Sequence, residues 1–198
     1  MIRFLVAFKR KCPWAWNQVE GMNGLLFRLR YRNLGRTAES VLGKVDVASC
    51  RFSLLKREEL GSLEALLTRQ DKENLTWFHP HAFDAKTLKR LFRNPAFLMM
   101  QVTAPDGTMV GYFFLRCFFI GRAFVGLLVD KPWQNRGIGT AIWAACADIC
   151  GKAGLRMQAT VSTENVASMV SCRKGTDFRE IQELDGPYLA VECKQKVS

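Results

Sequence analysis

The segment Val125–Thr140 constrains the fold of this chain more than any other. A strand-like apolar run ends at Asp130, a proline-containing turn follows, and Gly137 and Gly139 then open a long helical pattern. Glycine lets the backbone approach a ligand closely, and the free N–H groups of a first helical turn point at an anion. Because the helix dipole adds to this attraction, the segment predicts a phosphate or pyrophosphate site between a strand and a helix.

The pattern Gln134-x-x-Gly137-x-Gly139 differs from two common phosphate-binding loops. It lacks the Lys-Ser/Thr pair of a Walker loop and the third glycine of the dinucleotide fingerprint. It resembles the (Gln/Arg)-x-x-Gly-x-(Gly/Ala) signature of the GCN5-related N-acetyltransferases (GNAT), in which this loop holds the pyrophosphate of acetyl-coenzyme A. An ordinary glycine-rich turn before a core helix is the alternative.

A second segment further along the chain strengthens the resemblance. Leu155–Val161 is another strand-like run, and Asn165-x-x-Ser168 follows it. The family ends its fifth strand in such an Asn-x-x-(Ala/Ser) segment, so the resemblance implies that the Asn165 amide bonds the pantetheine arm. The family continues with a Tyr, a Lys and a Gly-Phe pair, and this chain has Cys172 at the position of the Tyr. The resemblance covers roughly residues 49–194.

The order of predicted elements agrees with the fold that the resemblance implies. Strands are predicted over residues 49–55, 96–103, 109–119, 123–129, 155–161 and 187–193, and helices over 58–68, 84–92, from the glycine loop to 152, and after Asn165. We therefore predict an α/β (α+β) protein with the GNAT fold. Its central sheet is mixed and mostly antiparallel, has about six to seven strands, and is flanked by helices, with an N-terminal extension.

The extension covers residues 1–46, and the acetyltransferase domain is predicted over 47–198. Residues 1–46 hold nine lysines and arginines against three acidic residues. Four apolar residues share one helical face and predict a helix from about Trp16 to Arg32, whereas the alternation over Phe27–Arg32 leaves a strand open. These four are Val19, Met22, Leu26 and Leu29. We expect this stripe to pack on the rest of the protein, and an interfacial membrane helix is the alternative.

Composition narrows the class of protein. With 198 residues, 48% of them hydrophobic, one domain with a sizeable core is expected, and a net charge of +11 suits an anionic cofactor. No apolar run is long enough to span a bilayer, and Met1–Phe8 lacks the cleavage site of a signal peptide. Seven scattered cysteines without a Cys-x-x-Cys motif predict a reduced, cytoplasmic protein. We predict no metal and no nucleic-acid partner.

Acetyl transfer from a thioester requires a bound cofactor, a polarised carbonyl, a deprotonated amine and a protonated leaving thiolate. The resemblance implies that the pantetheine lies along the fourth strand, where a main-chain N–H near Leu128 polarises the thioester carbonyl. Gly126 indicates either a bulge that helps to open this cleft or a packing glycine. The predicted cofactor-binding residues are Leu127, Leu128, Val129, Gln134, Asn135, Arg136, Gly137, Ile138, Gly139, Thr140, Asn165 and Ser168.

The predicted catalytic residues depart from the family pattern. Many relatives carry a Glu on the fourth strand, but residues 123–129 hold no carboxylate, and Asp130 is expected to brace the turn. His79 and His81 are the predicted base or acceptor-binding residues, because a neutral imidazole accepts a proton from an ammonium; a surface role is the alternative. Cys172 is predicted as the proton donor to the thiolate, or else as a packing residue.

These residues predict an acetyl-CoA-dependent N-acetyltransferase that transfers the acetyl group directly to the amine of a small molecule in a ternary complex. The aromatic and histidine-containing segment 77–81 favours a polar ring, such as an amino sugar or a nucleotide-linked amino sugar. The alternatives are a catalytically weak acyl-coenzyme A sensor and transfer to oxygen or to a protein. A homodimer and contact of residues 1–46 with a membrane surface stay open.

Overall fold

Seven strands form a single sheet within residues 13–196, the part of the chain that the computed structural model describes. They are β1 (Arg51–Leu54), β2 (Phe97–Thr103), β3 (Met109–Phe118), β4 (Arg122–Val129), β5 (Arg156–Ser162), β6 (Asp177–Glu183) and β7 (Tyr188–Lys194), in the order β1-β2-β3-β4-β5-β7-β6. Only β4 and β5 pair in parallel, and every other neighbouring pair is antiparallel. The predicted mixed, mostly antiparallel sheet is confirmed, and β6 is a strand that the apolar pattern did not indicate.

Seven helices flank the sheet in the described part of the chain. They are α1 (Pro13–Arg30), α2 (Leu34–Leu42), α3 (Leu60–Thr68), α4 (Lys72–Leu75), α5 (Ala85–Phe92), α6 (Ile138–Ala153) and α7 (Val166–Gly175). Asp84 caps α5 as predicted, since its carboxylate accepts the Thr87 N–H at 2.9 Å. Gly154 ends α6 with a φ of 70°, a left-handed conformation that glycine adopts without steric cost.

The two faces of the sheet carry separate apolar cores. On one face, α2 and α6 pack against alternate residues of the central strands, with Trp143 and Ile142 of α6 fully buried. On the other face, α3 and α5 cover a smaller core that contains Tyr112, Phe114 and Leu128. Leu34, Ala38, Val41 and Leu42 belong to the first core together with Phe27. Phe27 and the buried face of α2, which the sequence assigned to the extension, therefore contribute to this core.

Helix α1 lies across the turn between β3 and β4. The Asn23 side chain donates to the Cys117 carbonyl at 3.1 Å and accepts the Phe119 N–H at 3.0 Å, and Phe27 is buried beside it. The predicted helix is thus confirmed, and the strand over Phe27–Arg32 is wrong.

The apolar stripe of α1 points away from the protein. Its side chains are between 39% and 69% exposed, and they are Val19, Met22, Leu25, Leu26 and Leu29. The expectation that this stripe packs on the rest of the protein is wrong, because the helix packs through its opposite face, where Asn23 and Phe27 lie. Among the described residues, no helix combines the length and apolarity that crossing a membrane requires.

Candidate active site

A wedge opens between β4 and β5. The two strands pair only at three positions, from Arg122 with Arg156 to Phe124 with Gln158. Beyond Phe124, β4 continues to Val129 along β3, while β5 pairs with β7, so residues 125–129 and 159–162 are not paired with each other. The predicted pantetheine contacts Leu127, Leu128 and Val129 form the β4 side of this wedge.

Gly126 lies on β4 next to the start of the wedge. The pairing of β3 with β4 runs without a register shift, so the predicted bulge at Gly126 is wrong. A Cβ atom at this position would overlap the ring of Phe114 on β3. Gly126 is therefore a packing glycine, which lets the Phe114 ring lie flat across β4.

The glycine loop ends at the start of α6. Gly137 is the N-cap, with a φ of 82°, and Asn135 before it has a φ of 60°. The Ala141 N–H donates to the Gly137 carbonyl at 3.0 Å and closes the first turn. The N–H groups of residues 138–140 therefore belong to that turn, where an α-helix offers them no carbonyl. Ile138 is buried in the core and anchors the turn, while Gly139 and Thr140 are half-buried.

Side chains from α4 and from the two residues that follow α3 hold the loop in place. Gln134 donates to the Asn74 side-chain oxygen at 2.7 Å and to the Val129 carbonyl at 3.1 Å. Asp130 accepts from Arg69 at 2.7 Å and from Gln70 at 2.8 Å, which confirms its expected role in bracing the turn. The predicted site residue Gln134 thus ties the loop to the end of β4.

The remaining cofactor candidates lie on both sides of the wedge. Arg136 is exposed, and its guanidinium stacks 4.7 Å from the centre of the Trp133 ring. Asn165 follows β5, and its side-chain oxygen accepts the Ser168 N–H at 3.0 Å, which caps α7. Gly139 approaches α7, since a Cβ there would stand 3.6 Å from the Ser171 Cβ. The first turn of α6 is therefore close to the middle of α7.

A cavity of about 860 Å³ adjoins the start of the wedge. Its floor is formed by β3 and β4, its walls by the segment 76–82 and by α5, and its far end by β5 and β7. Residues of its floor include Phe114, Arg116, Phe118, Phe124, Val125 and Gly126, and Thr160 and Tyr188 lie at the far end. Because Val125 and Thr160 stand on opposite strands of the wedge, the cavity and the wedge meet there.

Both predicted histidines line this cavity. His79 is exposed, whereas His81 is half-buried among the rings of Phe83, Phe97 and Tyr112. His81 Nδ1 lies 2.8 Å from the Ala82 carbonyl, which only accepts, so Nδ1 carries the proton and Nε2 accepts from the Tyr112 hydroxyl at 3.2 Å. Burial lowers the pKa of His81, so the imidazole is neutral at pH 7.

Cys172 lies outside the lining of the cavity. It is fully buried in the larger core, with its sulfur 3.5 Å from Cys193 Sγ and 3.6 Å from Thr176 Oγ1. This environment is that of a packing residue, and the proton-donor role stays a prediction that the position does not favour.

Four further residues reach the cavity from distant parts of the sequence. Tyr188 comes from β7, Glu20 from α1, Arg90 from α5 and Arg116 from β3. Tyr188 lies edge-on to Trp77, with ring centres 6.4 Å apart. None of these four residues was assigned a role from the sequence, because no local motif connects them. Within residues 13–196, no group of three or more His, Cys, Asp or Glu side chains is placed to hold a metal ion.

A comparison of the sequence with known protein families agrees with this fold and site. A model described as the acetyltransferase (GNAT) family matches residues 63–172, which is more than half of the chain. The protein belongs to this family of acyltransferases, and the resemblance predicted from the two motifs is confirmed. No curated protein matches the sequence.

Solved structures share the fold at low sequence identity. The GNAT domain of S. lividans PAT gives a TM-score of 0.62 at 16% identity, covering 72% of this chain and 89% of that domain. PaiA N-acetyltransferase from Thermoplasma acidophilum, solved in complex with coenzyme A, gives 0.61 at 18% identity, covering 75% and 99%. Mycobacterium smegmatis RimJ in complex with CoA-disulfide gives 0.57 at 20% identity, covering 72% and 80%. These structures confirm the fold.

Proposed function

We propose that this protein transfers an acetyl group from acetyl-coenzyme A to the amine of a small molecule held in the cavity. The observation that carries the proposal is the junction of cavity and wedge at Val125, Gly126 and Thr160. A cofactor arm lying in the wedge brings its thioester to that junction, where an amine in the cavity meets it. Holding both reactants in one site lowers the activation barrier, because the bimolecular reaction becomes effectively unimolecular.

The chain offers suitable groups for each part of the cofactor. The N–H groups of residues 138–140 and the positive end of the α6 dipole suit the pyrophosphate. Main-chain groups of residues 125–128 that β5 does not pair suit the pantetheine amides and the thioester carbonyl. On the β5 side of the wedge, the side-chain oxygen of Asn165 caps α7. The nitrogen of the same amide suits a hydrogen bond to the pantetheine arm.

His81 and Tyr188 suit the two proton transfers. The lone pair of neutral His81 is on Nε2, which accepts from the Tyr112 hydroxyl. The proton that the acceptor ammonium must lose before its nitrogen attacks the carbonyl carbon reaches Nε2 when this hydrogen bond is exchanged for one from the ammonium. When the C–S bond breaks, the departing thiolate takes a proton from the Tyr188 hydroxyl, which solvent then restores. Cys172 and Cys193 are buried away from the cavity, which supports direct transfer in a ternary complex over an acyl-cysteine intermediate.

The cavity favours a small acceptor with a ring. Its volume of about 860 Å³ is in the range of sites for small molecules, and aromatic side chains form much of its wall. An amino sugar presents apolar ring faces to such walls and polar edges to Thr87, Asn94 and Thr160. A long peptide would need a groove open at both ends.

A thiol-release assay with amino sugars, amino acids and polyamines tests this proposal. We expect turnover with at least one amine, and we expect His81→Ala to lower kcat while the affinity for acetyl-coenzyme A is unchanged. His79→Ala, at the exposed neighbouring position, serves as the comparison. Binding of acetyl-coenzyme A without turnover of any amine would instead favour the sensor.

A second function is favoured by the exposed stripe of α1. We propose that this face rests on an anionic membrane surface, because Arg28, Arg30 and Arg32 are exposed beside five aliphatic side chains. The tip of the β3–β4 turn adjoins the helix through the Asn23 contact to Phe119, and it adds exposed Phe119 and Ile120. An apolar helix face with a cationic rim is the pattern of interfacial helices.

Vesicle flotation tests this surface. We expect binding to phosphatidylglycerol-containing vesicles and weak binding to pure phosphatidylcholine, with attachment reduced at about 0.5 M salt. Leu29→Ser should weaken the attachment, whereas Ile181→Ser, at an exposed site on β6, should not. Absence of binding, or a dimer that Leu29→Ser dissociates, would overturn the membrane proposal.

A further inference from the structure

A cluster of three charges lies in the wall of the cavity. Among the described lining residues, the ones charged at pH 7 are Glu20, Arg90 and Arg116, so positive charge is in excess. Arg116 Nη2 donates to Glu20 Oε1 at 2.8 Å, and Arg90 Nη1 lies 3.8 Å from Glu20 Oε2. The Glu20 carboxylate therefore holds both guanidiniums at one place in the wall. Its single negative charge offsets one of their two positive charges.

Arg116 stands beside the junction of cavity and wedge. Its Cα is opposite that of Phe124, the last β4 residue that pairs with β5. Neighbouring strands are about 4.8 Å apart, so the base of the Arg116 side chain is one strand away from the start of the wedge. The cavity connects Arg116 with the junction at Val125 and Thr160, so one small acceptor can reach both.

The surroundings strengthen an interaction with an anion. The Arg116 guanidinium lies 5.6 Å from the centre of the Phe118 ring, and Phe97, Phe114 and Phe124 form the nearby wall. Charge-assisted hydrogen bonds are roughly twice as strong as hydrogen bonds between neutral groups. A guanidinium has five N–H donors, so the bond to Glu20 leaves Arg116 with further donors for a second acceptor.

From this cluster we infer that the acceptor carries a carboxylate or phosphate group near its amine, and that Arg116 and Arg90 bind that group. The inference rests on the proposed transfer function and narrows its substrate class. The excess positive charge also disfavours polyamines, which would bring further cations to two guanidiniums. Glu20 sets the orientation of both side chains, which makes α1 part of the acceptor site.

Matched pairs of amines test the inference. The thiol-release assay is run with glucosamine 6-phosphate against glucosamine, and with amino acids against their amides. We expect the anionic member to have a kcat/KM at least about 10-fold higher, as one charge-assisted hydrogen bond provides. Arg90→Gln should lower kcat/KM for the anionic member and so reduce this preference. Arg93→Gln, at the residue that follows this helix and outside the described lining, should not change the preference.

Arg116 needs two variants, because its side chain also donates to Glu20. Arg116→Lys keeps the charge and the ion pair but loses the planar fork, so it should lower kcat/KM more for the anionic member than for the uncharged member. Arg116→Gln should lower it further. Equal or better use of the uncharged member by the wild type would overturn the inference and leave the transfer function standing.

A failure of the proposed transfer function can be distinguished from a failure of the anion site. If no amine is acetylated, stabilisation of the protein by glucosamine 6-phosphate but not by glucosamine, measured by thermal unfolding, still supports the anion site. Equal stabilisation by the two sugars, or none by either, would overturn it.

Discussion

Replacing Gly137 by leucine separates the role of the loop in folding from its role in binding. Gly137 has a φ of 82°, and an L-residue held in the left-handed region costs about 1–2 kcal/mol. For a chain of this length, each kcal/mol lowers Tm by roughly 2–4 °C. We therefore expect Gly137→Leu to be folded, with Tm lowered by about 2–8 °C.

The effect of Gly137→Leu on binding should be larger than its effect on folding. Relaxing the strained turn moves the N–H groups of residues 138–140 away from the pyrophosphate. Loss of two charge-assisted hydrogen bonds raises the Kd for acetyl-coenzyme A by roughly 100-fold or more.

Gly154→Leu is the matched control, since Gly154 has a φ of 70° at the other end of α6. Sixteen helical residues place it about 24 Å from Gly137. Calorimetric titration and thermal unfolding of both variants are the assays. A folded Gly137→Leu that binds acetyl-coenzyme A as tightly as Gly154→Leu would refute the assignment of the loop.

Three further predictions concern packing, pH and proton transfer. Gly175→Ala places a Cβ 2.5 Å from the Thr140 carbonyl, and this overpacking between α7 and α6 should cost about 1–3 kcal/mol, visible as a lowered Tm. Because burial lowers the pKa of His81 below its ordinary 6.5, the unfolded chain binds a proton more readily. Stability should be full above about pH 6.5 and decline as pH falls from there through the lowered pKa. Denaturant titrations should show a smaller decline in His81→Gln. Tyr188→Phe should lower kcat about 100-fold without changing the Kd for acetyl-coenzyme A, and an unchanged kcat would assign thiolate protonation to water.

The sequence predicted the central fold because its strongest signals are local. The strand–loop–helix segment around Gly137 and the Asn165 motif each lie in one stretch of chain, and the structure places them as expected. Helix α2 carried an apolar pattern at Leu34, Ala38, Val41 and Leu42 that was readable but was assigned to the extension. Strand β6 could not be recognised from apolar alternation, because it is an edge strand with mostly exposed polar residues.

The acceptor cavity was only partly predictable. His79 and His81 are neighbours in sequence, and their segment could be placed at the wall. Glu20, Arg116 and Tyr188 come from three distant elements, and only the packing of α1 and the pairing of β7 with β5 bring them together. The exposed stripe of α1 was misjudged because periodicity shows that a helix has an apolar face but not which face packs.

Calorimetric titration with acetyl-coenzyme A tests the central claim most directly, with desulfo-coenzyme A and ATP titrated alongside. The wedge and the α6 N-terminus predict micromolar binding of acetyl-coenzyme A and of its desulfo analogue, because both carry the pyrophosphate and the pantetheine arm. ATP lacks that arm and should bind much more weakly. No binding of acetyl-coenzyme A, or binding no tighter than that of ATP, would contradict the account.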